Sequence, residues 1–196
     1  MEQPAILAMY SGGLDSLGMI YKLLTDPAYA EYSLHIHHVH NRSIENRHTA
    51  EAIIVQQVLA ELTRLGFKYQ YSESEISAPS FNRQFMFDSD SMNFFAGYIC
   101  SVNPNIAKVA LGMNATDSNY SLEERRKRAN QILAAFTTVE KIYPVLNMNK
   151  QEIYTSLPET LRDLFWSCRT PVHTEGGIDS CGRCKSCLQI AELGIV

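Results

Sequence analysis

The chain lacks the string Gly-x4-Gly-Lys-Ser/Thr. That absence removes the lysine with which a Walker-type loop neutralises a transferring γ-phosphate. No third glycine follows Gly12-Gly13 in the spacing of a dinucleotide fingerprint. No run approaches the roughly 18 apolar residues of a membrane span, so no membrane partner is expected. Positive charge is also in short supply: 17 Lys and Arg against 21 Asp and Glu give a formal charge of -4. This balance argues against broad nucleic-acid binding, although a local basic patch is compatible with it. Cysteine is nearly missing before residue 168, where Cys100 stands alone in an apolar stretch and reads as a core thiol. Met1-Glu2-Gln3-Pro4 runs directly into an apolar segment without the pattern of a signal peptide, so a cytoplasmic location with reduced thiols is expected. No internal repeat or low-complexity linker stands out. What is present is globular: 196 residues, 45% hydrophobic and 19% charged, enough for one substantial core.

The apolar run Ala5-Ile6-Leu7-Ala8-Met9-Tyr10 is followed at once by Ser11-Gly12-Gly13-Leu14-Asp15-Ser16. Leu14, Leu17, Ile20, Tyr21, Leu23 and Leu24 then recur at helical spacing, which reads as strand, tight turn, helix. The first N–H groups of such a helix have no intrahelical partner and carry the positive end of its dipole. Two glycines let the backbone approach a ligand, and Ser11 and Ser16 add hydroxyls. These features make a phosphate cradle. The plainer alternative is a Gly-Gly turn with ordinary capping residues.

Strands are predicted at 5–10, 32–39, 67–72, 106–111 and 141–146. Helices are predicted at 14–25, 45–65, 90–102, 121–137 and 149–164, the last interrupted near Pro158. This alternation predicts an α/β fold, a doubly wound parallel sheet with helices on both faces. Ligands bind such sheets beyond the carboxyl ends of the strands. His35, His37, His38 and His40 look like a metal cluster, but alternation sends 35 and 37 to one face and 38 to the other.

At the other end stand Cys168 and Cys181-Gly182-Arg183-Cys184-Lys185-Ser186-Cys187. In a reduced compartment, four thiolates on a turn-rich segment suit tetrahedral Zn²⁺, and four protein ligands make it a structural ion. An iron–sulfur cluster uses similar ligands and stays open as an alternative. The expected organisation is a nucleotide-binding unit over 1–165 and a four-cysteine zinc-binding segment over 166–196.

The two ends together carry a resemblance. Ser-Gly-Gly-x-Asp-Ser at 11–16 resembles the pyrophosphate loop of the N-type ATP pyrophosphatases, which split ATP between its α and β phosphates and adenylate a substrate oxygen. With Trp166-Ser167-Cys168 and the Cys181–Cys187 run behind it, the chain resembles the 7-cyano-7-deazaguanine synthases, as a short member. Arg47-His48-Thr49-Ala50-Glu51, Gly112-Met113-Asn114-Ala115-Thr116-Asp117 and Pro144-Val145-Leu146-Asn147-Met148-Asn149-Lys150 resemble that family's middle segments in the same order. The resemblance implies an adenine nucleotide alpha hydrolase-like fold, with ATP, Mg²⁺ and Zn²⁺ as cofactors. It also implies a 7-carboxy-7-deazaguanine and ammonia as substrates, a nitrile product reached through an amide, and a homodimer without direct nucleic-acid binding. By the same token Tyr10, Ser11, Gly12, Gly13, Leu14, Asp15 and Ser16 hold the nucleotide, and Asp15, Ser16 and Lys150 act in catalysis. Arg47, Glu51, Asn93, Thr116 and Asp117 bind substrate, and Cys168, Cys181, Cys184 and Cys187 hold the zinc. Lys150 or Arg47 is the expected partner of the substrate carboxylate. Phe94, Phe95 and Tyr120 are candidate aromatic walls, and Arg125, Arg126 and Arg128 read as a solvated helix face.

The chain departs from the family pattern in four places. Ile44-Glu45-Asn46 stands where the family has Tyr-Gly-Gln, and Asp90-Ser91-Met92-Asn93 where it has Pro-Gly-Arg-Asn. Tyr120-Ser121-Leu122-Glu123-Glu124 replaces Tyr-Pro-Asp-Cys-Arg, and Arg169 replaces a tyrosine. The nucleotide loop and cysteine tail are kept while substrate-facing segments differ, so a related deazapurine or a stop at the amide stays open. Two other classes stay open too. One is a tRNA-modifying or sulfur-transferring relative, for which Cys100 is the only spare thiol. The other is a non-enzymatic nucleotide-binding zinc module.

Overall fold

The computed structural model of the chain describes residues 3–78, 88–116 and 120–195. Five parallel strands form one sheet in the order β3-β2-β1-β4-β5. They are β1 (Ala5–Tyr10), β2 (Ser33–Arg42), β3 (Gln70–Ser77), β4 (Ile106–Leu111) and β5 (Glu140–Ile142). The crossover helices are α1 (Leu14–Thr25), α2 (His48–Arg64), α3 (Asp88–Val102) and α4 (Tyr120–Ala134). After β5 come α5 (Lys150–Ser156) and α6 (Glu159–Arg162). The C-terminal segment adds an antiparallel hairpin of β6 (Val172–Thr174) and β7 (Gly177–Asp179), then α7 (Lys185–Glu192).

Alternation on the buried strands splits the core in two. Ile6, Ala8, Tyr10, Leu34, Ile36 and Ala110 face one layer, packed with α1, Val55, Val58 and Leu62 of α2, Ile153 of α5 and Ile190 of α7. Leu7, Met9, Val39, Ile106 and Val109 face the other, against Ala96 and Cys100 of α3 and Leu133 of α4. The sheet is therefore covered on both faces, as near-continuous apolar parallel strands require. The strand order reverses between β1 and β4, and this switch point opens a crevice beyond their carboxyl ends.

Several expected boundaries move. β2 continues to Arg42 and β3 to Ser77 because polar cross-strand pairs, His40–Glu73 and Arg42–Glu75, extend the ladder past the apolar run. β5 closes after three residues, and the region after it turns through Tyr143–Asn147 instead of extending. The helix over 149–164 is interrupted near Pro158 as expected, since that proline cannot donate to the helix ladder and holds Leu157 extended. The hairpin in the tail was not anticipated. The histidines divide as alternation requires. His35 and His37 share the Ser72 hydroxyl, while His38 bonds the Tyr10 carbonyl and stacks edge-on with His40.

Candidate active site

The loop after β1 is shaped from within. The Ser16 hydroxyl donates to the Gly13 carbonyl at 3.0 Å and accepts from Ser11 N–H at 3.2 Å, and the two serine hydroxyls lie 2.9 Å apart. The serines therefore hold the turn as well as facing the cleft. Gly12 sits at φ +80 and packs against the Glu51 backbone. Glycine is needed for that backbone conformation. Gly13 gives α1 no side-chain cap, so the first-turn N–H groups of Leu14, Asp15 and Ser16 stay available to an anion. Gly112, at the end of β4, backs directly onto this turn: a Cβ would fall 2.6 Å from Ser16 Cα and N.

Asp15 and Lys150 meet across this crevice at 2.8 Å. Lys150 opens α5, whose start is fixed by a capping box between Asn149 and Glu152. The second carboxylate oxygen of Asp15, Oδ1, is buried without a hydrogen-bond partner. A hard cation or a ligand donor fits that oxygen.

Facing the loop is a wall of charge. Arg47, only 8% exposed, pairs with Glu45, Glu51 and Asp88. Arg169 reaches Asp88 at 3.1 Å and Glu45 at 3.3 Å. Three carboxylates thus share two guanidiniums. Burial would lower the Arg47 pKa, but Asp88, Glu51 and Glu45 outweigh it and hold the group above its usual range. Burial pushes Glu51 up to about 7, with Arg47 opposing and Asp88 reinforcing. For Asp88, burial acts upward but the two guanidiniums win and lower it. Glu51 accordingly keeps its proton to higher pH than Asp88 does.

Between loop and wall lies a cleft of about 370 Å³, lined among others by Ser11, Gly13, Leu14, Asp15, Ser16, Arg47, Glu51, Asn93, Lys150 and Trp166. Asn93 is 1% exposed, and its Oδ1 has no partner while its amide donates to Ser89 O. Other expected residues stand elsewhere. The Tyr10 ring is fully buried in the core under α1 and does not face the cleft; only its carbonyl is used, by His38. Thr116 is exposed and folds back onto Asn114 Oδ1 through both N–H and hydroxyl. Asp117 and the side chains of Tyr120 and Arg125 lie outside the described residues. Phe95 packs into the α3-side core and Phe94 is exposed, while Tyr143 and Trp166 are the described aromatic residues that line the cleft.

The four tail thiols converge: the sulfurs of Cys168, Cys181, Cys184 and Cys187 all lie within 4.8 Å of one another. A tetrahedral zinc with bonds of about 2.3 Å places its sulfurs about 3.8 Å apart, so the set fits one metal. Backbone N–H groups of Cys181, Cys184 and Arg169 point at the sulfurs of Cys168, Cys181 and Cys184 at 3.3 to 3.5 Å. Donors of this kind favour thiolate over thiol. The tail is strapped to the site at three places. Trp166 N–H donates to Gly12 O at 2.8 Å, Arg169 joins the charged wall, and His173 contacts Asn46.

Sequence reasoning missed Glu45, Asp88 and Arg169 as members of the site. Glu45 and Arg169 were visible as departures from the family pattern, while Asp88 gave no signal.

No family model matches the chain, and no curated protein is similar to it at a significant level. Among solved structures it is similar to the U34-tRNA thiolase NcsA from Methanococcus maripaludis with its [4Fe-4S] cluster, at TM-score 0.55 and 18% identity. The likeness covers 85% of this chain and 60% of that one, so the chain spans less than two thirds of the neighbour's length. The likeness shows the fold, a five-stranded parallel α/β sheet covered by helices, here joined to a four-cysteine group able to bind a metal.

Proposed function

We propose that this chain is an ATP-splitting enzyme of the 7-cyano-7-deazaguanine synthase kind, converting a 7-carboxy-7-deazaguanine and ammonia to the amide and then the nitrile. The observation that carries this reading is the uncapped α1 N-terminus with the Asp15–Lys150 pair beside it, facing a cleft with unpartnered acceptors.

A carboxylate is a poor electrophile because its own charge repels nucleophiles. Its oxygen attacks the α-phosphorus of ATP, the bond to the β-phosphate oxygen breaks, and pyrophosphate leaves. Negative charge grows on that leaving group, where the first-turn N–H dipoles of Leu14, Asp15 and Ser16 are aimed and Lys150 stands ready. Asp15 Oδ1 would hold Mg²⁺, which supplies further neutralisation of the phosphates. Ammonia then attacks the acyl carbon, AMP departs, and the surplus proton is lost from nitrogen. A second activation places AMP on the amide oxygen. Loss of that oxygen with AMP and of two protons from nitrogen leaves the nitrile. The ring of the base would lie near Trp166, with its N–H groups toward Asn93 Oδ1 and the carboxyl of Glu51 or Asp88. In this reading the four-cysteine group holds a structural zinc over 166–196, and the molecule is a cytoplasmic homodimer. The exposed stripe of Phe94, Tyr98 and Val102 on α3 supports the dimer.

A second reading draws on the thiolase neighbour: an iron–sulfur cluster on the same four cysteines and a tRNA substrate. Against it, Cys100 is the only described thiol outside the group, and burial pushes it up to about 11, which makes it a poor nucleophile. Incubation with the carboxy-deazaguanine, ATP, Mg²⁺ and ammonium, followed by mass spectrometry, tests the proposal. Nitrile with AMP and pyrophosphate is expected. Production of ADP, or AMP formed only with tRNA, would overturn it.

A further inference from the structure

The two cations expected to meet a substrate carboxylate are both engaged already. Lys150 is paired with Asp15, and Arg47 is ringed by three carboxylates. Unmatched cations stand instead in an annex of about 210 Å³ beyond the cleft. It shares Asp88, Asn93, Met113, Tyr143 and Arg169 with the cleft, so the two spaces are continuous. Its far wall is made by Arg126 on α4 and Lys141 on β5. Among the described residues, no carboxylate lies within ion-pairing distance of either. Lys141 is half-buried, and its ammonium donates to the neutral Asn130 Oδ1 at 2.6 Å. Burial with no opposing charge pushes it down to about 8. Asp88, the annex's one described carboxylate, is taken by Arg47 and Arg169. A half-buried cation without a counterion is costly, and a bound anion relieves that cost. The orphan Asn93 Oδ1 at the shared wall adds an acceptor for an N–H on the same ligand.

We propose that the annex is the carboxylate subsite of the cleft, with Lys141 and Arg126 holding the acid group of the substrate and Asn93 accepting from an N–H beside it. This rests on the reading of the protein as a carboxylate-activating enzyme. It replaces Lys150 and Arg47 in the role first expected of them. The helix face of α4 is then divided: Arg126 faces the annex, while Arg128 is exposed and paired with Asp90.

Lys141 reports on occupancy directly, because an anion beside an amine keeps it protonated and unreactive. Trace acetylation of the whole protein at pH 8 is read by mass spectrometry at Lys141, with four probes: the carboxy-deazaguanine, the same base without its carboxyl, inorganic phosphate and acetate. The acid should slow labelling of Lys141 by about tenfold while the unsubstituted base does not, since only the acid brings a charge-assisted contact to the ammonium. Lys141→Gln and Arg126→Gln should each raise KM for the acid about tenfold or more with KM for ATP unchanged. Lys141→Met should fold at least as stably as the parent, which separates a ligand role from a structural one. Protection by phosphate or acetate but not by the deazapurine acid keeps the annex as an anion site and sinks the deazapurine reading. Turnover of the acid with Lys141 labelled at the free rate and KM unmoved in both Gln variants sinks the annex and spares the enzyme assignment. Labelling indifferent to all four probes overturns the proposal.

Discussion

Replacing Glu51 by Gln tests whether the wall of the cleft carries one carboxylate too many. Glu45, Glu51 and Asp88 share only Arg47 and Arg169, and the Glu51 side chain is 5% exposed. Burial pushes its carboxyl up from 4.5 to about 7, with Arg47 pulling it down and Asp88 pushing it up. A carboxyl whose pKa is raised on folding binds its proton more tightly in the native state than in the unfolded chain. Its stabilising effect is therefore complete below the unfolded value of 4.5 and is lost as pH rises through about 7. A difference of about 2.5 pH units, at about 1.4 kcal/mol each, makes the loss about 3 kcal/mol at most. Gln keeps an acceptor for the Arg47 guanidinium, preserves volume and removes the titration. Glu51→Gln should match the parent near pH 5 and exceed it by about 1–3 kcal/mol at pH 8.5. In a chain of this size that is a rise in Tm of about 2–4 °C per kcal/mol. Urea and thermal unfolding of both proteins at pH 5, 7 and 8.5 measure this, and subtracting one from the other cancels the remaining titrating groups. Equal pH slopes in the two proteins, or a Gln variant less stable at pH 8.5, would refute the charge count.

Cys184→Ser should bind less than one metal per chain by elemental analysis and lose about 3 kcal/mol or more, because metal binding at such a site is folding free energy. Zinc in the parent supports the structural reading, and iron with sulfide supports the alternative. Asp15→Ala should fold normally yet form AMP about a hundredfold more slowly, as expected when one electrostatic stabiliser of the leaving group is removed. Gly112→Ala drives a Cβ to 2.6 Å from Ser16 Cα and N, and backbone cannot yield as a side chain does. It should cost about 1–3 kcal/mol and raise KM for ATP, and an unchanged KM would mean that β4 does not brace the loop.

The first strand, the loop and α1 were legible because each rests on a local pattern: an unbroken buried run, paired glycines and a 3.6-residue stripe. The cysteine tail was legible for the same reason, since spacing alone brings three sulfurs together. The extent of β2 and β3 was not, because their last residues are polar and are held by partners 33 positions away, such as His40 on Glu73 and Arg42 on Glu75. The local partner of Thr116 was not legible either: both of its donors turn back onto Asn114 Oδ1. Arg47 lines the cleft, but its ion-pair partners were not legible. Three carboxylates surround it, and two of them, Glu45 and Asp88, drew no notice as partners in the sequence.

The departures at Glu45 and Arg169 each look like a loss when taken singly. One puts a carboxylate where the family pattern has Tyr-Gly-Gln, and the other puts a guanidinium where it has tyrosine. In the folded chain they meet at 3.3 Å, 124 positions apart, and Asp88 joins both to Arg47. Glu45 also meets Arg47, and Arg169 also meets Asp88, so these charges form one ionic network across the wall. Arg169 follows Cys168 directly, and its own N–H points at Cys184 Sγ. The geometry of the four-cysteine group therefore sets where this guanidinium stands in the cleft. Disruption of that group should reach the charged wall through Arg169 first, and the Trp166–Gly12 strap carries the same displacement to the loop over 11–16.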